Sequence, residues 1–543
     1  MSTKSQPKIL IVGAGPTGLM MGILLAREGI PFRIIEKDKE RSPFSRALAL
    51  QTRSLELLQD IRLLQKFMQR GFEIRELTFH TPKKQIGHFT LEGVPSPFSF
   101  ILVHPQERTE ELLEEHLVSR GVKVERGVTL TEVSTTGEVT LQSDKEEKCK
   151  FDYVLACDGG HSAVREKVKI PFEGVDRKEV FALADLKVQS SIDPKAMSGF
   201  FSPDGVVAFI PMPEGYMRLI LANMKEHKDL TLEELKQVVE KRTKRTFHLS
   251  DIKWTSHFIT HFRHSATMRR GSVFLFGDSA HIHSPVGGQG MNTGLQDSYN
   301  FAWKLARVIR KEASSSLLET YEEERMQVAE SLIRWTSQMT KFVTLQRNPF
   351  LFLRNQLLSY LFKRKFFQKK LRLWMTQTRI HYRESPLSKE HAPSFLSALF
   401  SRKQREFRLG PRAGDRALDA EVSLKDQLEI STLFEALSGS KFVLLVFASK
   451  RLKPKLLQEL KELLPQDFVA YLIASDEQHP LIETWNGDVI FDRSGSLRKN
   501  YGVSHSSLYL IRPDNYIAYR SYGFELPAFK KYLHGASFSL AHP

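Results

Sequence analysis

Three clusters of glycine and acid have spacings suited to holding a nucleotide. The first is Gly13-Ala14-Gly15-Pro16-Thr17-Gly18, which follows the apolar run 8–12 (KILIV) and leads into residues 19–28 of helical composition. A second apolar strand, 32–35, then ends in Glu36 and Lys37. In this order Gly13 permits a tight turn, Gly15 lets the backbone approach a pyrophosphate and Gly18 allows helix and strand to pack closely. The helix amino terminus faces the phosphates, and Glu36, 18 residues after Gly18, can accept from a ribose. A lone Gly-x-Gly-x-x-Gly is weak, since glycines are common in loops; here every flanking element agrees. The motif does not choose between FAD and NAD.

The second cluster is Asp158-Gly159-Gly160, after the apolar strand 151–156 and before Arg165. Alone it reads as a turn. The third is longer: strand 272–276, Gly277-Asp278, then Pro285 and Gly287-Gly288-Gln289-Gly290-Met291-Asn292, with a helix over 295–310. A carboxylate at a strand end can bind polyol hydroxyls, and a glycine-rich loop entering a helix offers N–H groups to an anion. The plainer readings are a cap or turn for Asp278 and a flexible loop for the glycines.

Taken together, GAGPTG, ACDGGHSAVR and GDSAHIHSPVGGQGMNTGLQDSYNFAWKLA resemble the group A flavoprotein monooxygenases, the family of para-hydroxybenzoate hydroxylase and phenol hydroxylase. The likeness covers residues 1 to about 390 strongly and the rest more weakly; Phe301 stands where members usually have Leu. It implies an α/β fold: a Rossmann-type FAD-binding domain, an inserted and mostly antiparallel substrate sheet, and a C-terminal thioredoxin-like domain. It implies FAD, NADH or NADPH as cosubstrate, and O2, with an aromatic, phenolic substrate hydroxylated through a flavin C4a-hydroperoxide. The site residues carried over are Gly13, Gly15, Pro16, Thr17 and Gly18 for the pyrophosphate, and Glu36 with Lys37 for the adenosine end. Arg46 near the flavin, Gln106, Asp158, Gly159 and Arg165 follow. Gly277 and Gly288 are carried over as cofactor-binding, Asp278 would hold the ribityl chain, Pro285 would flank the isoalloxazine, and the backbone around Gly290, Met291 and Asn292 would stabilise negative charge at its N1–C2=O edge, an oxyanion-type arrangement. Epoxidation or quinone-ring hydroxylation of a lipid-like compound is an alternative, and so is a membrane- or partner-associated regulatory flavoprotein.

No catalytic base stands out. Short strands at 181–189, 199–201, 205–211 and 216–223, a helix at 231–245 and a strand at 254–263 suggest the substrate sheet. Period two puts His257, His261 and Arg263 on one face; with Tyr216 and Arg218 they are weak candidates, against the plainer reading of a half-exposed sheet.

These elements imply a division into 1–175 (FAD binding, with 76–103 joining the substrate sheet), 176–265 (substrate), 266–390 (FAD binding continued, with a basic helical region), a linker at 391–407 and 408–543. The length, 543 residues, exceeds one compact core. Two cysteines, Cys149 and Cys157, give no disulfide framework and no metal site. The C-terminal part holds none, which excludes thiol redox chemistry there and leaves a structural or dimerisation role. Only one Gly-x-Gly-x-x-Gly occurs, so the nicotinamide has no second Rossmann unit. The run 9–26 carries no charge, but Gly13, Gly15, Pro16 and Gly18 argue against a membrane span, and no signal peptide precedes it. A cytoplasmic place is expected.

The net charge is +16, and residues 331–383 contribute 12 Lys or Arg with no Asp or Glu. Helical spacing of Leu353, Leu357 and Leu361 and of Phe367, Leu371 and Trp374, with a break near Pro349, suggests basic helices there. They either pack with solvated lysines or touch an anionic membrane peripherally. Nucleic acid is not expected, since no recognition motif accompanies the charge.

Overall fold

The structure is a computed structural model and describes residues 8–43, 45, 47–224, 230–284, 287–343, 348–424, 431–437 and 439–535. Arg46 and Pro285 lie outside the described residues.

The apolar runs ahead of the three glycine-bearing clusters become neighbouring strands. Ile9–Val12 pairs in parallel with Tyr153–Ala156 on one side and Arg33–Glu36 on the other, and Tyr153–Ala156 pairs in parallel with Val273–Leu275. With Arg269–Arg270 and Glu125–Arg126 at the edges this makes a six-stranded sheet. Its central strands are apolar on both faces because both are covered, as a parallel sheet requires. The helices Pro16–Arg27 and Gly290–Ile309 pack together on it in one core. All three glycine loops leave the carboxyl ends of parallel strands, where such sheets bind ligands.

A second sheet has eight strands. Its centre is two 18-residue antiparallel strands, Phe172–Gln189 and His248–Ser265, longer than the sequence suggests. The bulges that interrupt their pairing, at Asp176/Val180 and Asp185/Lys187, scramble the simple alternation. Tyr216–Met224, Gly205–Pro211 and Met197–Ser202 continue the sheet, and Glu76–His80 with Gln85–Thr90 close it. Ile101–Val103 pairs instead with Ala49–Leu50 and Phe72–Ile74. The helix Leu232–Thr243 covers one face, with Leu235 and Val239 against Ala182, Phe209 and Leu221. It is fixed by a capping box between Thr231 and Glu234.

The basic region forms Glu319–Val343, Asn348–Phe362 and Lys365–Met375. The stretch expected as a linker is structured. Lys389–His391 pairs with Tyr519–Ser521, and Phe395–Phe400 and Arg402–Leu409 are helices. Its serines serve as caps: Ser394 accepts from the Ser397 N–H (3.1 Å) and Ser401 from Gln404 (3.5 Å). The C-terminal sheet centres on Val443–Phe447, parallel to Val469–Ala474 and antiparallel to Ser507–Ile511, which turns at Asp514-Asn515 into Ile517–Tyr522. Asn515 takes the positive φ (61°) that this turn requires. No helix among the described residues is long and apolar enough to cross a membrane.

Candidate functional site

The first loop is closed by close approach. The Gly13 N–H donates to Ile35 O (2.8 Å), and Gly13 has φ +101° with no room for a side chain beside Cys157 O. A Cβ on Gly18 would collide with Gly13 O, whereas one on Gly15 would meet nothing within 4 Å. Gly15 therefore borders open space at the start of Pro16–Arg27, where a pyrophosphate fits. Pro16 stands in that first turn. Glu36 Oε2 accepts from the Ala14 N–H (2.8 Å), so the strand-end carboxylate also steadies the loop; Lys37 is exposed beside it. Thr17 packs between Gly277 and Gly294, 2.8 Å from where a Gly277 Cβ would stand, locking the first loop to the third.

Asp158 Oδ2 accepts from the Val164 N–H (3.1 Å), but its Oδ1 is buried without a hydrogen-bond partner. Burial raises its pKa. Gly159 beside it is open, with φ +80°. Arg165 donates to Ser279 O (2.9 Å) and Gly160 O (3.0 Å), tying the second loop to the third. Asp278 is exposed at the strand end. Gly288 has φ +62°, and a Cβ there would press on Ala49. Gly290 opens the helix Gly290–Ile309, and the side chain of the cap residue Gln289 makes no bond to the helix start, donating instead to Gly287 O (3.1 Å) and Met375 O (3.3 Å). The first N–H groups, at Gly290, Met291 and Asn292, precede the first intrahelical donor, Thr293. The Asn292 side chain itself is committed: Oδ1 accepts from the Gln51 N–H (2.8 Å) and Ser54 Oγ (2.7 Å), and Nδ2 donates to Ala49 O and Gly288 O. An orphaned carboxylate oxygen, open glycines and the N–H groups of a helix start fit a dinucleotide carrying phosphates and hydroxyls.

A family profile described as an FAD binding domain matches residues 6–336, more than half of the chain. The chain belongs to this FAD-binding family. It is similar to an aromatic compound monooxygenase of Bacillus subtilis, 35% identical over 62% of this chain and 68% of that one. It is also similar to pentachlorophenol 4-monooxygenase of Sphingobium chlorophenolicum, 27% identical over 94% and 93%. Among solved structures, an anhydrotetracycline hydroxylase of Streptomyces rimosus shares the fold, with a TM-score of 0.76 and 24% identity over 98% of this chain and 100% of that chain. The chain is a flavoprotein monooxygenase with FAD as cofactor. The relatives' names do not favour epoxidation or a purely regulatory flavoprotein.

In this FAD-binding chain the sequence candidates separate into groups. Gln106 begins the helix Gln106–Ser119; its N–H donates to Ser45 Oγ (2.6 Å), its Oε1 accepts from the Ala47 N–H (3.2 Å) and its Nε2 donates to Glu110 (2.9 Å). Tyr216 and Arg218 share a sheet face with Asp185 and Trp254: Arg218 stands opposite Asp185, which stands opposite Trp254 on its other side, and Tyr216 stands opposite Lys187. Arg218 is buried, bonds both Asp185 oxygens (2.7 and 2.6 Å) and lies over the Trp254 ring. Tyr216 OH donates to Asp251 (2.5 Å). His257 sits opposite Ala182, on the face turned to the helix Leu232–Thr243. His261 and Arg263 both engage Asp176, further along the strand.

A cleft of about 310 Å³ lies between the start of the helix Gln106–Ser119 and the eight-stranded sheet. Ser45, Pro105 and Arg108 form one wall; Asp185, Tyr216 and Trp254 form the other. Glu214 bridges its mouth by accepting from Arg108 (2.6 Å) and Lys253 (3.1 Å).

Several residues of the site were not legible from motif spacing. Asp297 is fully buried and accepts from the Gly277 N–H (2.9 Å), His281 Nε2 (2.8 Å) and Arg325 Nε (2.6 Å). Burial opposes its charge, but Arg325 and His281 outweigh this and hold its pKa below the usual range. That Asp297 is the single acid of the helix Gly290–Ile309 is the one signal in the sequence that points to it. His283, whose pKa burial lowers to about 4, leaves Nε2 without a partner near Gly290.

Glu110 behaves differently: burial pushes its pKa up to about 7, against the lowering effect of Gln106. The folded chain then holds a proton that the unfolded chain releases above 4.5. Stability falls as pH rises between those values, by about 3 kcal/mol in all. Glu110→Gln should abolish this slope, as urea unfolding at about pH 5 and about pH 8 will show; an unchanged slope would assign it elsewhere.

Proposed function

We propose that the chain hydroxylates a phenolic compound, using NAD(P)H and O2: NAD(P)H, H⁺, O2 and Ar–H give NAD(P)⁺, Ar–OH and water. The observation that carries this reading is continuity between cleft and flavin loop. Ser45 lines the cleft, and a few residues on Gln51 and Ser54 hold Asn292 at the Gly290 helix start. An aromatic ring held against Trp254 and Tyr216 would thus sit beside the reacting end of the cofactor.

Bound FAD would supply the hydride acceptance and the oxygen activation. Asp158 and Asp278 would bind hydroxyl groups, and Gly15 with Pro16–Arg27 the pyrophosphate. The N–H groups of Gly290, Met291 and Asn292 would stabilise negative charge on the reduced ring. Pro285 and Arg46 are proposed beside the ring by family likeness alone. The Asp185–Arg218 pair would keep the cleft wall polar yet rigid, and Tyr216 could donate to a phenolic oxygen in place of Asp251. His257, His261 and Arg263 lack the cleft position that such a role needs. We also propose the C-terminal sheet, read from sequence as thioredoxin-like, as a structural brace.

A panel of phenols and fused-ring phenols tests the reading by NAD(P)H oxidation with matched O2 uptake. No compound stimulating either, in flavin-loaded protein, would sink it. For a compound that does, Trp254→Ala should raise KM about tenfold, the scale of one aromatic contact, with FAD content unchanged. An unaltered KM would place the substrate elsewhere.

A further inference from the structure

The helix Asn348–Phe362 is apolar on two sides. Its inner stripe, Leu351, Leu358 and Phe362, is buried against the substrate sheet, with Phe362 stacked on Phe79 (centroids 4.8 Å apart). Its outer stripe, Phe350, Leu353, Leu357 and Tyr360, is spaced by three, four and three residues, so all four point the same way. These four are 49–61% exposed, and Phe366, at the start of the next helix, is 80% exposed. A helix that packs on a core through one face should be polar on the other, and monomeric proteins seldom leave such a stripe bare.

The rim of this stripe has one sign of charge. Lys363, Arg364, Lys365, Lys369 and Lys370 are exposed beside it. Arg364 lies over the Tyr360 ring at 4.3 Å and donates to its hydroxyl (2.6 Å). Residues 331–383 contain no carboxylate to answer these cations. A second copy of the chain meeting this face about a two-fold axis would set cations against cations. An anionic lipid surface meets both features: phenyl and leucyl groups enter the acyl boundary while the ammonium and guanidinium groups reach the headgroups. The absence of a spanning helix among the described residues fits a helix lying on a membrane.

We propose that the outer face of Asn348–Phe362, with Phe366 and the basic rim at 363–370, docks the enzyme onto an anionic membrane surface. The inference is independent of which aromatic compound is oxidised. Flavin-loaded full-length protein should sediment with phosphatidylcholine–phosphatidylglycerol vesicles at low salt, should be released at high salt, and should ignore phosphatidylcholine alone. Replacing Phe350, Leu353 and Phe366 together by Ser should lower the partition about tenfold or more while FAD content and Tm stay unchanged, since all three side chains are exposed. Lys363→Glu with Lys365→Glu should weaken binding similarly, and Val118→Ser, an exposed apolar residue elsewhere, should not. Absence of binding at low salt would overturn the proposal. Full binding by the Ser triple variant would overturn it too, because charge alone would then account for attachment. A wild-type dimer that the Ser variant converts to monomer would reassign the face to a second copy.

Discussion

Gly18→Ala should lose both FAD and fold stability, whereas Gly15→Ala should lose FAD alone. The difference follows from what each new methyl meets. At Gly18 it strikes Gly13 O, a backbone atom that cannot swing away. Gly13 is itself held by its N–H bond to Ile35 O and by the closeness of Cys157. Relief therefore requires the helix Pro16–Arg27 to slide off the sheet, in a core where Leu19, Met20 and Ile23 are buried. Overpacking of this kind costs about 1–3 kcal/mol, and the displaced loop should weaken FAD by about a hundredfold. At Gly15 the backbone (φ −74°, ψ −177°) suits any residue, and the methyl enters open space. The apoprotein should keep its Tm, yet the methyl would stand in the space proposed for the pyrophosphate. Thermal unfolding of both apoproteins and titration with FAD, followed by quenching of flavin fluorescence, separate the two effects. Native FAD affinity in Gly15→Ala would place the pyrophosphate away from this loop.

Those glycines were readable because their constraint is local: a strand, a turn without side chains and a helix start all lie within a few residues. The third loop was readable for the same reason, although its helix opens at Gly290, five residues before the start that the sequence suggests. What resisted reading depends on partners far along the chain. Asp297 looks like one more polar residue until Arg325 and His281 close around it. The parity of His257, His261 and Arg263 is plain, but parity alone does not say which face a covering helix takes. The helix Leu232–Thr243 takes the face of Ala182, and the cleft is left to Tyr216, Trp254 and Asp185, the partner of Arg218. The serines at 394 and 401 mislead through composition, since capping and linker chemistry use the same residue. The long strands were under-read because their bulges break the alternation by which strands are recognised.

Glu324→Gln should destabilise the chain by about 3–5 kcal/mol, the range for removing one member of a buried ion pair. Glu324 is buried on the helix Glu319–Val343, and its two oxygens accept from Arg512 (2.5 and 2.9 Å), Lys304 (2.8 Å), Asn300 (2.6 Å) and Ser385 (2.6 Å). Burial opposes this carboxylate, but Arg512 and Lys304 outweigh that and hold its pKa far below the ordinary value. Lys304, lowered to about 8 by burial, depends on the same partner. Within the cluster two carboxylates, Glu324 and Asp514, balance two cations, Lys304 and Arg512. The amide variant leaves two buried cations facing one carboxylate. Because the folded pKa is depressed, the stabilisation is present above the unfolded value and is lost as pH falls below about 4.5; the variant should lack that acid-side loss. A double-mutant cycle with Arg512→Met should show the pair losing less than the sum of the single changes. Lys304 and Asn300 lie on the helix that begins at Gly290, and Arg512 and Asp514 lead the turn of the C-terminal sheet. Loss of Glu324 should therefore also speed FAD release. Destabilisation with unchanged FAD release would mean that the C-terminal sheet braces the fold without reaching the flavin loop.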